Sequence, residues 1–320
     1  MSNPFDDDPP PAADPDLDAV EAALYSLDPT GNRVATVLRD TFDQLYDGQR
    51  TGRWNFDDHL RKTERTHMGT IVEINLHREF DFEDGTQTDY RIADVQVDCK
   101  YSMRPFGWNM PPEVVGHLAL VVHANEATCS WRAGLIRVKP EYLRGGQNRD
   151  SKKELLASAR KHIRWLWQDH GRLPPNLFYE LNDETRDAIF GAKAKRGNQH
   201  GQARLNELFR LVQGRTIRRA ELATVGQQDD FMKRARNNGG SRTYLRPEGI
   251  IVLGHQGNDP LVAASLGLPV PRKGELVAAR VVQALPGRSD PTAEICGQLW
   301  AVARPGDAVV PAPEVGRGGA

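Results

Sequence analysis

Long apolar runs are absent from this chain, and none approaches the roughly 20 residues that a membrane-spanning helix needs. The start of the chain is acidic and rich in proline, the opposite of a signal peptide, and residues 1–16 are predicted to be a disordered tail. Cysteine is scarce: Cys99, Cys129 and Cys296 form no CxxC pair and suggest no disulfide framework. These absences predict a protein without a membrane span in the reducing cytoplasm.

Charge of both signs is plentiful, but its distribution is uneven. Hydrophobic residues make up 39% and charged residues 27% of 320 residues, which predicts a soluble globular protein with room for two domains. Between Gly191 and Arg246 there are thirteen Lys and Arg and four Asp and Glu, a net charge of +9. Because the whole chain has a net charge of −1, the rest of it carries −10. A basic block of this kind is typical of a protein that binds a polyanion. The alternative is a charged surface neutralised by counter-ions.

The stretch 88–102 has the alternation of a half-buried strand in its second half. Asp98 and Lys100 then lie side by side on its polar face. If the chain before this strand returns through a two-residue turn at 93–94, the register sets Asp89 directly opposite Asp98 on the same face. The sequence therefore predicts two carboxylates and an ammonium group at one place.

Two carboxylates that face each other need a cation between them, or one of them must hold a proton. A hard divalent ion with oxygen ligands, such as Mg²⁺, is the natural occupant, and Lys100 beside it completes a site suited to cutting a phosphodiester. The alternative is that Asp-x-Lys is a solvated face of a charged strand.

A further carboxylate lies on the helix predicted at Thr66–Phe80. Apolar residues surround this helix almost completely, so it is expected to be buried. Glu73 is in its middle, and buried carboxylates are rare unless they are paired or bind metal. It either forms a salt bridge, with Arg78 or His77, or adds an acid to the carboxylate pair, and the spacing leaves both open.

The first part of the chain mixes helices with strands. Periodicity predicts further helices at Leu17–Tyr25, Arg33–Tyr46 and Ser151–Trp167, and strands at Val114–His123 and Cys129–Val138. This order fits an α/β core, which we place at 17–165. Glycine and a Pro-Pro pair interrupt the pattern, and 166–175 is predicted to be a linker.

The remainder, 176–320, has a different character. Helical patterns are followed by a reversal and a predicted strand; the segments are Asp183–Ala194, the polar loop Arg196–Gly201, Gln202–Val212, Arg218–Thr224, Gln227–Arg236 and the strand Thr243–Leu253. A tight turn separates the last two helices, and this order resembles a winged helix-turn-helix of the CAP type, whose second helix enters the major groove. Short apolar runs over Pro260–Val310 predict β structure packed on it.

Six side chains on or near the second helix and the predicted wing are candidates for DNA binding. Gln and Arg can read adenine and guanine edges through two hydrogen bonds, and the other basic side chains would hold phosphates. The alternative is a helical hairpin with a basic surface. The candidates are Gln227, Gln228, Lys233, Arg234, Arg236 and Arg242.

Eight stretches of the chain carry a longer pattern: Leu24–Asp28, Asp43–Phe56, Thr66–Gly69, Glu73–Phe80, Val95–Lys100, Arg196–Arg204, Gln227–Lys233 and Leu268–Gly274. Together they resemble the NaeI family of restriction endonucleases, from about residue 24 to near the end. Departures fall in the acidic tail, at Met103–Gly107 and at Gln283–Ser289, away from the candidate catalytic residues.

The resemblance implies a two-site type II enzyme with a restriction-endonuclease-like mixed-sheet core and a C-terminal topoisomerase-like domain with a winged helix. Such enzymes are homodimers that cut one double-stranded DNA copy while a second copy acts as effector. The family's catalytic acids fall on Glu73, Asp89 and Asp98, which would hold Mg²⁺, and its lysine on Lys100. The family site GCCGGC, cut to blunt ends, is the expected substrate, and a separate DNA methyltransferase is expected to protect the host.

Two other functions fit parts of the sequence. A winged-helix transcription regulator without catalysis would explain the basic block but not the Asp89–Asp98–Lys100 face. A structure-specific repair nuclease of similar core would share the catalytic residues but ignore DNA sequence.

Overall fold

A computed structural model describes residues 13–56, 60–146, 151–167, 172–194, 197, 200–236, 239–285 and 289–316. The chain divides into two compact units. The first comprises the chain up to Leu45 together with Leu60–Pro175, and the second comprises Tyr46–His59 and everything from Asn176 onward. Over the described ranges, no helix is long and apolar enough to cross a membrane. All three cysteines are free.

The helices are, in chain order, α1 (Pro15–Leu27), α2 (Asn32–Tyr46), α3 (Gly48–Thr51), α4 (Lys62–Phe80), α5 (Leu177–Glu180), α6 (Asp183–Gly191), α7 (His200–Leu211), α8 (Arg219–Gly226), α9 (Phe231–Arg236), α10 (Ser241–Leu245) and α11 (Asp259–Ser265). The strands are β1 (Glu83–Asp84), β2 (Tyr90–Ile92), β3 (Val95–Ser102), β4 (Asn109–Met110), β5 (Leu118–Asn125), β6 (Ser130–Arg137), β7 (Lys153–Glu154), β8 (Arg164–Leu166), β9 (Thr216–Ile217), β10 (Ile250–Leu253), β11 (Leu276–Gln283), β12 (Thr292–Ile295) and β13 (Gln298–Val302).

A mixed six-stranded sheet forms the centre of the first unit, in the order β1-β2-β3-β5-β6-β8. Strands β3 and β5 pair in parallel, and the other neighbours are antiparallel. The first five residues of β5 are all buried, as expected for a central strand covered on both faces. The predicted mixed α/β fold is therefore confirmed for this core.

The hairpin β2–β3 turns through Ala93 and Asp94, which have φ angles of 50° and 62°. Two consecutive positive φ values define the tight turn that matches the twist of an antiparallel hairpin. The ladder pairs Tyr90 with Val97, and one further step of the same register brings Asp89 opposite Asp98. The predicted turn and register are confirmed.

Helix α4 packs against β3 and extends one turn further back than its apolar pattern predicts. It begins at Lys62 because Glu64, in its first turn, accepts a hydrogen bond from the backbone N–H of Arg61 at 2.8 Å. One side of the helix is buried, by Met68, Ile71, Val72, Leu76 and Phe80.

The predicted helix at Ser151–Trp167 is wrong. The segment forms β7, a 3₁₀ turn at Ala157–His162 and then β8, which pairs with β6. Gly134 of β6 explains the close pairing, because a Cβ at this position would lie 2.6 Å from the Ile163 side chain. The glycine in β6 thus allows β8 to pair as an edge strand, although the spacing of apolar residues suggested a helix.

The second unit surrounds a sheet in the order β10-β11-β13-β12, with β9 also paired to β11. Its helical part includes the consecutive helices α7, α8 and α9. The predicted strand Thr243–Leu253 is correct only for its last four residues, which form β10, since Ser241–Leu245 is α10 and Arg246–Glu248 is a 3₁₀ turn. Ser241 and Leu245 are both buried, at the spacing of one helical turn, which favours the helix. Likewise Pro260–Val310 begins with α11 before its β strands.

The segment 46–59 packs with the second unit, although its sequence position suggested the first. The Trp54 ring lies 5.8 Å from that of Phe178 and 5.4 Å from that of Tyr179. Asn176 donates a side-chain hydrogen bond to the carbonyl of Trp54 at 2.7 Å. The chain therefore passes between the units three times, and not once as a single linker would require.

The predicted tail and linker are partly described. Asp14 caps α1 by accepting from Leu17 N and pairs with Arg137 of β6, so residues 14–16 belong to the folded unit. In the predicted linker, Leu166 is in β8, while 168–171 lie outside the described residues. The same holds for Arg196, Asn198 and Gln199 of the predicted polar loop. The functional domain boundaries stay a prediction.

Candidate active site

Asp89, Asp98 and Lys100 converge at the β2–β3 hairpin, and we refer to them as the carboxylate–lysine cluster. Lys100 Nζ forms an ion pair with Asp98 Oδ2 and lies 3.7 Å from Asp89 Oδ2. The backbone N–H of Cys99 donates to Asp89 Oδ2 at 2.7 Å, which fixes that carboxylate toward β3. The structure thus brings together the three side chains that the register placed on one face, and their catalytic roles stay a prediction.

Burial sets the charge state of the cluster. Asp98 is 4% exposed, and this desolvation raises its pKa to about 7 despite the ammonium beside it. Burial opposes the charge of Lys100 as well, but the neighbouring Asp98 and Asp89 outweigh it and raise the pKa of Lys100. The lysine is therefore held as a cation, while Asp98 changes its protonation state near neutral pH.

Glu73 is half-buried on α4, and the charges of Asp89 and Lys100 act on it. Burial, and then the negative charge of Asp89, raise the pKa of Glu73. Neither predicted salt bridge forms: His77 Nε2 lies 3.4 Å from Asp84 Oδ1, and within the described part of the chain Glu73 has no ion pair. An acid that feels the charges of both Asp89 and Lys100 favours the second interpretation, that Glu73 belongs to the cluster.

Tyr90 is a residue of this site that the sequence reasoning missed. Its hydroxyl donates to the backbone carbonyl of Glu73 at 2.8 Å, and its ring stacks on His77 with 5.7 Å between centroids. Burial raises the pKa of Tyr90, so the hydroxyl remains a donor. Because β2 begins at Tyr90, directly after Asp89, this hydrogen bond ties α4 to the strand next to one of the acids. Its buried position beside Asp89 in the alternating pattern was the available signal.

Asp89 and Asp98 are the residues of the cluster that could act as ligands of a divalent ion. Among the described residues, no group of three or more His, Cys, Asp or Glu side chains is arranged to hold a metal. Mg²⁺ is usually bound by one or two carboxylates, with water and substrate phosphate as its other ligands. Asp89 and Asp98 supply such a pair, and within the described ranges Asp98 Oδ2 is buried without a hydrogen-bond partner beyond its ion pair.

In the second unit, the two candidate glutamines follow α8 directly. Gln227 caps α8 in the left-handed conformation, at φ 50°, and its side chain approaches Gly52, where a Cβ would lie 2.5 Å from Gln227 Nε2. Gln228 packs in the same way against Gly201, and its Nε2 is buried and has no hydrogen-bond partner among the residues that the structure describes. Gln227 remains exposed, whereas Gln228 is half-buried.

The four candidate basic residues lie in different environments. Lys233 is exposed on α9, and Arg234 Nε pairs with Asp230 Oδ2 at 3.0 Å. Arg236 and Arg242 line a cavity of about 330 Å³ formed with the loop 254–259. Arg242 is on α10, not on a wing strand, and pairs with a buried carboxylate of that loop, Asp259.

A mixed sheet that carries Asp98 and Lys100 on one strand, with Asp89 directly before the neighbouring strand, is consistent with a restriction-endonuclease-like fold. The family model described as restriction endonuclease NaeI matches residues 18–311. A relative from Lentzea aerocolonigenes, named Type II restriction enzyme NaeI, is 63% identical over 304 residues, which cover 95% of each chain. The chain therefore belongs to the NaeI family of restriction endonucleases.

Membership of this family confirms the resemblance seen in the sequence. The enzyme class is that of type II site-specific deoxyribonucleases, whose substrate is DNA. The comparisons give no support to a transcription regulator without catalysis.

Proposed function

We propose that the carboxylate–lysine cluster, with Glu73 on the adjoining helix, is where this enzyme hydrolyses the phosphodiester bonds of double-stranded DNA with the help of Mg²⁺. The observation that carries the proposal is the convergence of Asp98 and Asp89 on the ammonium of Lys100. A buried acid and a half-buried acid beside a cation are expected where a polyanion must be bound and cut.

Asp89 and Asp98 would hold the ion, with Glu73 as a further acid. A bound Mg²⁺ neutralises charge on the phosphate and lowers the pKa of a coordinated water. The raised pKa of Asp98 implies that its proton leaves when a divalent ion binds, because both compete for the same buried carboxylate.

Lys100 has the role of a cationic donor to the reacting phosphate. Its raised pKa makes it a poor general base, so it orients the water and stabilises the negative charge that builds on the phosphoryl oxygens. Water attacks in line: it gives a proton to solvent as its oxygen bonds to phosphorus, the bond from phosphorus to the 3′ oxygen breaks, and the 3′ oxygen takes up a proton from solvent. The products are 5′-phosphate and 3′-hydroxyl ends.

Replacing Lys100 tests the assignment directly. Lys100→Ala should lower the cleavage rate by at least about 100-fold and leave specific DNA binding intact, because the lysine acts in the transition state. Rates would be measured on plasmid with Mg²⁺, and binding by mobility shift. Lys139→Ala, at an exposed lysine elsewhere in the first unit, is the matched control. Full cleavage by Lys100→Ala would refute the proposal.

We also propose GCCGGC as the recognition site, with blunt ends, since the stretches that carry the family resemblance run through both units. Sequencing the ends of digested DNA tests this directly. A different sequence or a staggered cut would contradict the specificity and leave the chemistry untouched.

The second unit is proposed to bind a second DNA copy as effector through a winged helix-turn-helix, in a homodimer. The order α8–α9 and the basic excess of this region support the proposal. A short duplex that contains the site should stimulate cleavage of a single-site plasmid, and Lys233→Gln should reduce that stimulation more than the basal rate. Absence of stimulation in wild type would exclude two-site activation. A separate methyltransferase would protect the host's DNA in the cytoplasm.

A further inference from the structure

One side of α4 forms a polar track that leads to the proposed active site. Lys62, Thr66, Gly69 and Glu73 recur at i, i+4, i+7 and i+11, so they form one stripe along the helix. Lys62 and Thr66 are exposed and Gly69 is partly exposed. Three further exposed residues flank the stripe and line, with Lys62 and Thr66, an open groove of about 530 Å³: Thr63, His67 and Thr70.

Before Glu73, the side chains of this track are basic or carry hydroxyl groups. The track offers an ammonium, an imidazole and several hydroxyls, and the nearest acid before Glu73, Glu64, is turned back to the N–H of Arg61. The surface around Gly69 is open, because a Cβ added at this position would meet nothing within 4 Å. A surface of small hydroxyl-bearing and cationic residues allows a sugar–phosphate backbone to approach closely, and such side chains are regular phosphate partners.

We infer that this polar track binds the backbone of the substrate duplex on its way to the carboxylate–lysine cluster. The inference rests on the proposed active site, since Glu73 ends the stripe and the hydroxyl of Tyr90 fixes that turn of α4 beside Asp89. At 1.5 Å per residue, the eleven residues from Lys62 to Glu73 span roughly 16 Å. That length corresponds to about five base pairs of duplex.

Contacts of this kind position DNA without reading its sequence. Changes on the track should therefore weaken cognate and non-cognate DNA alike. Each lost cationic contact to phosphate should also reduce the slope of log affinity against log salt by about 0.9.

Gly69 allows charge to be placed on the track without a steric clash. Duplex binding would be measured for Gly69→Glu, Gly69→Lys and the matched control Gly69→Ala, without divalent ions so that Glu73 and its neighbours hold no metal. We expect Gly69→Ala to bind as wild type, Gly69→Glu to bind about tenfold more weakly, and Gly69→Lys to bind more tightly. Lys62→Gln should lower the salt slope, and circular dichroism would confirm that each variant folds.

Equal binding by the three Gly69 variants would overturn the inference. So would a change in the oligomeric state of Gly69→Glu with unchanged DNA affinity, which would assign the track to a protein partner. The Lys100→Ala measurement keeps the two ideas apart. If that variant loses cleavage while the Gly69 charges have no effect on binding, the track alone is wrong; if it cuts normally, the active site is wrong.

Discussion

Asp98 is a carboxylic acid whose surroundings oppose its charge. Its pKa in the folded chain, about 7, is above the ordinary value of 3.8, so between these values the folded state binds more protons than the unfolded state. Stability contributed by this residue is therefore present at low pH and is lost as the pH rises through about 7.

Metal-free Asp98→Asn should remove this dependence, because the amide has the same shape and no charge to desolvate. From about pH 4 to about pH 8, wild type should lose on the order of 4 kcal/mol relative to the variant, at about 1.4 kcal/mol per tenfold change in proton affinity. Urea unfolding across this range measures the difference. Parallel pH profiles for the two proteins would show that Asp98 is not desolvated as described.

Tyr90 acts on the site through its neighbours and is a positioning residue. Tyr90→Phe keeps the buried ring and deletes the 2.8 Å hydrogen bond to the Glu73 carbonyl, a contribution of about 1 kcal/mol. Cleavage should fall several-fold at low Mg²⁺ and recover at high Mg²⁺, since the acids remain but are less well oriented. Tyr101→Phe is the control, because its hydroxyl donates to the backbone carbonyl of Ala124 at 3.4 Å and not to a residue of the cluster. If Tyr90→Phe is less stable but its cleavage depends on Mg²⁺ as in wild type, Tyr90 contributes only to packing.

Among the elements, the β2–β3 hairpin decides the geometry of the cluster, and its turn is strained. Ala93 has a positive φ, which asparagine tolerates far better than alanine and a β-branched residue hardly at all. Ala93→Asn should raise the stability by about 0.5–1 kcal/mol, and Ala93→Val should lower it by at least as much. Thermal melting at constant pH measures both. The same sign for the two substitutions would contradict the turn geometry.

The hairpin also shows why part of the site could be predicted from the sequence. Alternation along 95–102 and a two-residue turn leave one register in which apolar residues face inward, so Asp89 and Asp98 had to meet. Glu73 could be identified as an anomalous acid on an apolar helix, but its partners depend on how α4 packs on β3. That packing, and the Tyr90 hydroxyl that it brings to α4, are tertiary and leave no local pattern.

Elements whose form depends on distant partners were predicted wrongly. The segment 151–167 has helical spacing, yet β6 offers a free edge with a glycine at position 134, and pairing with that edge prevails. In the same way, burial of Ser241 and Leu245 makes a short helix where a wing strand was expected. Local propensity is a weak determinant in such short segments.

At the scale of the molecule, the segment 46–59 is part of the second unit's structure. Gly48 approaches α8 so closely that a Cβ would lie 2.0 Å from Thr224 Oγ1, and Trp54 lies against Phe178. Its position between two parts of the first unit hid this association, because sequence order alone assigned it there.

A fragment that begins at Asn176 should therefore be unstable, because it exposes the apolar surface that Trp54 covers. Joining 46–59 to the same fragment through a flexible linker should restore a cooperative melt. The control is the same fusion with Trp54→Ala, which should melt several degrees lower. A cooperative transition for the bare fragment at the temperature of the fusion would show that the segment contributes nothing.

Because the backbone passes between the two units three times, the units cannot be exchanged as two consecutive stretches of sequence. A gene cut once, at codon 175, does not yield two self-sufficient halves, since fourteen residues of one half are encoded inside the other. Grafting the second unit onto a foreign nuclease would require two insertions, and recombination between relatives would preserve function only where both segments came from the same parent.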